Sequence, residues 1–167
     1  ISERTAELEQ VNSLLQLQSQ AIEEASLTDP LTGLKNRRFF TQHIDADTVL
    51  AQRHYLNNFA APNELKNADL IFFLIDIDHF KKVNDSYGHQ KGDSVLQTVA
   101  GIINDNVRSS DFPCRYGGEE IAVILPETST CGAITIANRI LKGFGNIEFH
   151  ISSGGEAVQR TISVGIA

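Results

Sequence analysis

The sequence contains no methionine and no tryptophan, and only two of its 167 residues are cysteines. Without a methionine, we expect that Ile1 is not the native start and that the sequence is a fragment or a processed chain. Cys114 and Cys131 have neither CxxC spacing nor nearby histidines, and the five histidines lack metal-ligand spacing. This pattern predicts reduced thiols and a cytoplasmic location, rather than a zinc or disulfide site.

Basic residues are also scarce. The sequence has 14 Lys and Arg but 21 Asp and Glu, which gives a net charge of −7. A nucleic-acid surface would need a basic patch, so this balance argues against a nucleic-acid partner. No apolar run approaches the roughly 20 residues that span a bilayer, and no signal peptide is present. We therefore expect no membrane contact within these residues. The length of 167 residues suffices for one domain with a core plus an extension.

The most informative stretch is residues 115–121, with the sequence RYGGEEI, in which two glycines precede two acids. Strand-prone residues flank it on both sides, and glycine adopts positive φ without penalty, which predicts a tight hairpin. The N–H groups of Gly117 and Gly118 would be open to a phosphate beside Glu119 and Glu120. The alternative is an ordinary surface hairpin with solvated glutamates.

A run of six apolar residues, 70–75, ends in Asp76-Ile77-Asp78. It predicts a central, fully buried strand with acids at its carboxyl end, where α/β proteins commonly bind ligands. If this strand lies beside the hairpin, the strand spacing of about 4.8 Å brings Asp76 near Glu119. Two carboxylates about 4 Å apart repel by roughly 4 kcal/mol at an effective dielectric of 20, and a bound cation removes that cost. Ligands that are all oxygen suit Mg²⁺.

Residues 1–25 have apolar side chains at every seventh position, namely Ile1, Leu8, Leu15 and Ile22. This spacing predicts a short parallel coiled coil, although the second heptad position is less apolar. The alternative is a solvated amphipathic helix that packs on its own domain.

Further helices are predicted near 36–57, 93–107 and 130–143, with Asp93 as a plausible N-cap of the second. Strands are predicted over 70–76, in a hairpin over 111–125, and in a second hairpin that turns near residues 154–155 and ends on 161–167. Residues 77–92 are predicted as a turn, and 57–69 as a loop without an assigned role. The expected fold is α/β, with a mixed, mainly antiparallel sheet flanked by helices.

In this order and spacing, the motifs resemble the GGDEF family of diguanylate cyclases over about residues 26–167. The segments that carry the resemblance are DPLTGLKNRR at 29–38, DIDHFKKVND at 76–85, Gly88-His89, Gly92-Asp93, GGEEI at 117–121 and TISVGIA at 161–167. Ile121 stands where the family usually has phenylalanine, and we interpret it as a packing variant in the strand.

The resemblance implies a palm-like cyclase fold that joins two GTP into cyclic di-GMP and releases two pyrophosphates. It implies that Asp76, Glu119 and the backbone carbonyl of Ile77 hold Mg²⁺, with Mn²⁺ as an alternative ion. Glu119 would accept the proton of the attacking 3′-hydroxyl, and Glu120 would support it.

The resemblance also implies seven substrate-binding residues, namely Phe80, Lys81, Asn84, His89, Asp93, Gly117 and Gly118. Asn84 and Asp93 would read the guanine edge, because a carboxylate can accept from its ring N–H and amino group. Each has a structural alternative: Asp93 as a helix cap, Asn84 as a turn residue and His89 as part of the fold.

A product-inhibition site is implied at RSSD, residues 108–111, where Arg108 and Asp111 would bind cyclic di-GMP, with Arg139 as a third contact. Arginine can pair with phosphate or guanine in a fork, and aspartate can accept from guanine. The alternative is an arginine at a helix end and an aspartate that acts as a local cap.

The resemblance also implies that two domains must face each other in the active form. We therefore expect a homodimer that is held by the coiled coil of residues 1–25. An upstream sensor, which could be membrane-anchored, would regulate it.

The family continues beyond Ala167 with a helix that carries phosphate-binding Lys and Arg. We therefore expect domain 26–167 to be truncated and poorly active, with apolar sheet surface left uncovered.

The alternatives to a cyclase are a non-catalytic domain that binds GTP or cyclic di-GMP as a receptor, and a passive dimerisation module.

Overall fold

The computed structural model describes residues 11–12, 14–16, 18, 22, 26–58, 69–147, 149–150 and 157–167. Most of the predicted coiled coil, most of the predicted loop 57–69 and the turn near 154–155 therefore lie outside the described residues. Three described apolar positions of the N-terminal segment, Val11, Leu15 and Ile22, are helical and exposed to 49%, 56% and 71%.

The centre of the fold is a five-stranded sheet. Its strands are β1 Lys35–Asn36, β2 Ile71–Ile77, β3 Phe112–Arg115, β4 Glu120–Leu125 and β7 Ile162–Ile166, in the order β1-β3-β4-β2-β7. Only the β1–β3 pair is parallel, and the other three pairs are antiparallel. The predicted mixed, mainly antiparallel sheet is confirmed.

Within described residues 27–58, 69–147, 149–150 and 157–167, four helices accompany the sheet, namely α1 Arg37–Asn58, α2 Phe80–Tyr87, α3 His89–Asn106 and α4 Thr130–Gly145. The limits of α1 and α4 agree with the prediction to within two residues. The prediction of a turn over residues 77–92 is wrong, because most of these residues form α2 and the start of α3. Gly88 separates the two helices with φ 82°, a conformation that glycine adopts without steric cost.

Asp93 does not cap a helix, so the predicted N-cap is wrong. Gly88 precedes the first residue of α3, which is His89, and Asp93 lies four residues further on with an exposed side chain. The predicted buried stripe of α3 is present, because Val95, Leu96 and Val99 are each at most 3% exposed. The helix start was misplaced because residues 89–92 contain a glycine and no large apolar residue.

The second predicted hairpin is only partly present. β5 Phe149–His150 pairs with β6 Ala157–Val158 in a separate two-stranded sheet. The strand that was expected to close this hairpin, β7, instead pairs with β2 in the main sheet. The prediction placed the last strand, residues 161–167, in this hairpin, whereas the structure places it in the main sheet beside β2.

The core joins the sheet to α2, α3 and α4. Phe73, Ile75 and Ile77 of β2 are at most 1% exposed and belong to the same buried cluster as Leu96 of α3 and Ile140 of α4. Each such side chain contributes roughly 1.5–3 kcal/mol by leaving water.

The other face of the sheet is less covered. Leu74 of β2 points to this face and is 51% exposed, so the prediction of a fully buried strand is wrong. On this face, Phe40 of α1 contacts Phe72 and Tyr116, with ring centroids 6.3 and 5.3 Å apart. An open apolar groove of about 470 Å³ lies along these residues.

No helix in the part of the chain that the structure describes is both long and apolar enough to cross a membrane. Both cysteines are free thiols. Burial raises the pKa of the Cys114 thiol to about 12, against a smaller opposing effect of the Lys35 charge, so this thiol is inert at neutral pH.

Candidate active site

The signature residues 117–120 lie at the turn between β3 and β4. The two strands are in antiparallel register, with Arg115 opposite Ile121. The N–H groups of Tyr116 and Gly117 both donate to the carbonyl of Glu120, at 2.9 and 3.2 Å. The predicted hairpin is confirmed, although its connection is wider than a two-residue turn.

The sequence predicted that positive φ requires glycine in this turn. Neither Gly117 nor Gly118 has a positive φ, so that reason is wrong. A Cβ atom at Gly117 would lie 2.7 Å from Oε2 of Glu120, so this glycine leaves room for the Glu120 side chain. The N–H of Gly117 is already bonded to Glu120, so a phosphate could bind it only by displacing that bond. For Gly118 the phosphate contact stays a prediction.

Asp76 and the hairpin are brought together by the β2–β4 pairing, as the sequence predicted. The antiparallel register places Asp76 opposite Glu120, and Glu119 immediately precedes β4. Ser163 of β7 is the partner of Asp76 on the other side. The carboxyl end of β2 therefore meets the signature turn, with Asp76 and Glu119 both half-buried.

The electrostatics of this cluster are repulsive. Burial raises the pKa of the Glu119 carboxyl above its usual value, and the negative charges of Asp76 and Glu120 raise it further. Removing water and placing like charges nearby both disfavour the ionised form of a carboxyl group. The ionised form of Glu119 is thus disfavoured in the absence of a cation.

A divalent cation fits this donor set. The side chains of Asp76 and Glu119 and the carbonyl of Ile77 offer only oxygen, which Mg²⁺ and Mn²⁺ accept. Within the described ranges, no three His, Cys, Asp or Glu side chains are grouped closely enough to hold a metal ion by themselves. Two carboxylates and one backbone carbonyl leave coordination positions for water and phosphate oxygens, as Mg²⁺ sites usually do.

Asp78 is held away from this set by β7. Its two carboxylate oxygens accept from the hydroxyls of Thr161, at 2.5 Å, and Ser163, at 2.7 Å. These hydrogen bonds lower the pKa of the Asp78 carboxyl below its usual value. Asp78 therefore fixes the chain beyond β2 to the neighbouring strand, which positions the carboxyl end of β2.

The predicted substrate residues beyond β2 lie around the joint between α2 and α3. Phe80 is buried, Asn84 is half-buried, and Lys81, His89 and Asp93 are exposed. His89 and Asp93 are one helical turn apart and so share a face of α3. The carbonyl of Asn84 accepts from the N–H of Gly88 at 2.9 Å, which anchors this joint.

The predicted product-inhibition residues lie at the other end of α3. Asp111 is 5% exposed, and its Oδ2 accepts from the N–H of Arg108 at 2.7 Å. Arg139 of α4 donates to the side-chain and backbone oxygens of Asn106, at 3.1 and 2.7 Å. The side chain of Arg108 is exposed. The Asp111 carboxylate is thus already engaged as a local cap.

Two neighbours of the signature turn were missed by the sequence reasoning. Arg115 pairs with Asp29 and also donates to the carbonyl of Gly118. Tyr116 is flanked by Phe40 and by the guanidinium of Arg37, which lies 4.8 Å from the ring centroid. These residues stood inside the recognised motifs, so their position in RYGGEEI and DPLTGLKNRR was the available signal.

Comparison with known proteins adds independent observations. A model of the family described as "Diguanylate cyclase, GGDEF domain" matches residues 26–167. Response regulator PleD of Caulobacter vibrioides is 42% identical over 144 residues, which cover 86% of this chain and 29% of PleD. Diguanylate cyclase DgcP of Pseudomonas aeruginosa is 37% identical over 143 residues, which cover 86% of this chain and 19% of that protein. The chain spans less than a third of the length of either relative.

Among solved structures, the coiled coil and GGDEF domain of DgcB from Caulobacter crescentus, in complex with c-di-GMP, matches with a TM-score of 0.76. That match has 28% sequence identity and covers 99% of this chain and 78% of the DgcB chain.

Proposed function

We propose that this chain, which belongs to the GGDEF domain family of diguanylate cyclases, condenses two GTP molecules into cyclic di-GMP and two pyrophosphates. The observation that carries the proposal is the meeting of Asp76 and Glu119 at the end of β2, with burial and like charge raising the pKa of Glu119. Perturbed carboxyl groups of this kind are typical of catalytic sites.

In each half-reaction, the 3′-oxygen of one GTP attacks the α-phosphorus of the other. One O–P bond forms, the bond to pyrophosphate breaks, and the 3′-hydroxyl loses its proton. Two such steps close the ring and release two pyrophosphates. Phosphoryl chemistry of this kind depends on positioning and charge stabilisation rather than on a covalent enzyme intermediate.

Glu119 receives the proton of the 3′-hydroxyl. In the absence of a bound ion, burial and the charges of Asp76 and Glu120 raise its pKa, which distinguishes it from an ordinary surface carboxylate. Glu120 is folded over Gly117, and its negative charge adds to the effects of burial and of Asp76 that raise the pKa of Glu119.

Diguanylate cyclases with GGDEF domains are generally dependent on divalent metal ions, and we assign Mg²⁺ to Asp76, Glu119 and the carbonyl of Ile77, with Mn²⁺ as an alternative. When bound, the ion supplies charge neutralisation for the phosphate oxygens. The contribution of this chain is the half-buried carboxylate pair, whose mutual repulsion favours cation binding.

The base and phosphates of GTP are assigned to the α2–α3 joint and the signature turn. Asn84, His89 and Asp93 surround the guanine, with Asn84 and Asp93 reading its edge. Phe80 and Lys81 lie towards the phosphates, together with the glycines of the turn. The exposure of Lys81, His89 and Asp93 leaves these side chains open to a ligand.

Each domain would supply half of the complete site, so the active species is a homodimer. The exposed apolar positions Val11, Leu15 and Ile22 support pairing of the N-terminal segment in a coiled coil. The DgcB structure also combines a coiled coil with a GGDEF domain. Pairing would raise the local concentration of the second half-site.

Because GTP is an intracellular substrate and both thiols are free, we assign this chain to the cytoplasm.

We also propose feedback by cyclic di-GMP at Arg108, Asp111 and Arg139. The exposed guanidinium of Arg108 and the nearby Arg139 provide positive charge at the C-terminal end of α3. A phosphate of the product can accept from arginine in a fork geometry.

Incubating the full-length protein with GTP and Mg²⁺, followed by mass spectrometry of the nucleotides, tests the proposed reaction. The expected result is cyclic di-GMP with two pyrophosphates per product molecule. Micromolar binding of GTP or cyclic di-GMP without turnover would contradict the cyclase and support the receptor alternative. Absence of both binding and turnover would leave only a dimerisation module.

A further inference from the structure

Gly92 lies at the contact between α3 and α2. It is buried in the first turns of α3, and its N–H donates to the carbonyl of Gly88 at 3.3 Å. A Cβ atom built on Gly92 would overlap Oδ1 of Asn84, and it would lie 3.0 Å from Cγ of Asn84 and 3.1 Å from Cζ of Phe80. The space that a side chain would take at position 92 is therefore occupied by Asn84 and Phe80.

The backbones at this contact leave little room for adjustment. The Asn84 carbonyl accepts from the N–H of Gly88, and the N–H of Lys91 donates to the carbonyl of Gly88 at 3.1 Å. These bonds fix both sides of the helix joint. Phe80 is 5% exposed and packs in the core, so its ring can shift only slightly. The side chain of Asn84 is half-buried and is the group that can turn away.

From this geometry we infer that Gly92 is a specificity-determining residue, because its missing side chain lets the Asn84 carboxamide lie where it reads guanine. The inference rests on the proposed function, in which Asn84 and Asp93 contact the base. Gly92 itself touches no substrate and acts by positioning Asn84. An alanine at position 92 turns the carboxamide towards solvent without unfolding the domain, because the overlapping atom is the end of a rotatable side chain.

The test compares four variants of the full-length protein with wild type: Gly92→Ala, Asn84→Ala, the double variant and the control Gly101→Ala. Gly101 lies on the same helix, and a Cβ atom there would have nothing within 4 Å. The measured quantity is the ratio of dissociation constants for the α,β-methylene analogues of ATP and GTP, with Mg²⁺ present. These analogues bind without turnover.

We expect wild type and Gly101→Ala to prefer the guanine analogue equally. Gly92→Ala and Asn84→Ala should each lower the preference by roughly tenfold, the order expected for one lost contact to a base edge. The double variant should lower it no further, because both changes act through the same carboxamide. A preference within twofold of wild type in Gly92→Ala would overturn the inference, as would additive losses in the double variant.

A thermal-unfolding cycle on the same variants tests the contact without nucleotide. Gly→Ala in a helix is intrinsically stabilising, so Gly101→Ala should raise Tm by a few degrees. Gly92→Ala should gain less than Gly101→Ala in wild type, and it should gain more in the Asn84→Ala background, where only the 3.1 Å contact with Phe80 remains. An equal gain at Gly92 in both backgrounds would overturn the inference even if binding could not be measured. A wild type without guanine preference would overturn the proposed function itself.

Discussion

Arg115 binds Asp29 through both carboxylate oxygens, which lie 3.2 and 3.3 Å from Nη1. The same guanidinium donates to the carbonyl of Gly118 from Nη2 at 2.9 Å and from Nε at 3.2 Å. The turn that precedes α1 is thereby joined to the tip of the signature hairpin.

The first prediction concerns this link. Arg115→Lys retains the positive charge but loses the planar fork that reaches Asp29 and Gly118 together. We expect the free energy of unfolding to fall by about 1–3 kcal/mol, measured by urea denaturation, and cyclic di-GMP formation to fall at least fivefold. Arg53→Lys on the exposed face of α1 is the matched control and should change neither. Activity within twofold of wild type in Arg115→Lys would show that the link is dispensable.

The second prediction is a pH dependence of stability at the same pair. Burial alone would raise the pKa of the Asp29 carboxyl, but hydrogen bonds from Thr32 and the charge and hydrogen bond of Arg115 hold the net pKa below its usual value of 3.8. A carboxyl with a depressed pKa in the folded state stabilises the protein above its unfolded pKa, and that contribution is lost as pH falls through the folded pKa. Asp29→Asn should therefore lose less stability than wild type on acidification below about pH 4 in urea titrations. Identical acid profiles would contradict the assignment.

The third prediction concerns the repulsive cluster. A raised carboxyl pKa in the folded state means that stability falls as pH rises from the unfolded value through the folded pKa. In EDTA, Asp76→Asn should remove part of the repulsion on Glu119, so its Tm should decline less than that of wild type between about pH 4 and pH 7. Mg²⁺ should raise the Tm of wild type but not of the variant. An equal response to Mg²⁺ would place the ion elsewhere.

Some of the site could be predicted from sequence and some could not. The meeting of Asp76 with the hairpin followed from an apolar run that ends in acids and from two glycines between strand-prone segments. The Asp29–Arg115 ion pair could not be predicted. Its partners are 86 residues apart in the sequence, and each of the 14 basic residues has 21 acidic residues as possible partners. Only the folded chain shows which of these charges meet.

The errors have similar physical causes. Continuous apolarity over residues 70–75 hid the alternation in which Leu74 faces the less covered side of the sheet. The helix α2 has only two buried residues, Phe80 and Val83, too few to give a clear periodic signal. Its end depends on the positive φ of Gly88, which a sequence permits but does not require.

The fourth prediction concerns feedback. Arg108→Ala should raise the inhibition constant of cyclic di-GMP at least tenfold, because a charge-assisted contact contributes roughly 1.5–3 kcal/mol. The initial rate without product should be unchanged, since Arg108 is not one of the residues assigned to the catalytic site. Arg53→Ala provides a control of equal charge change. An unchanged inhibition constant would remove Arg108 from the proposed product site.

The central claim is that Asp76 and Glu119 form the catalytic carboxylate pair of a diguanylate cyclase. Its most direct test is the rate of cyclic di-GMP formation from GTP and Mg²⁺ by full-length wild type, Asp76→Asn, Glu119→Gln and the exposed control Asp45→Asn. The account predicts that the two site variants fold but lose at least about a hundredfold in rate, while Asp45→Asn matches wild type. Turnover within tenfold of wild type in either folded site variant would contradict it.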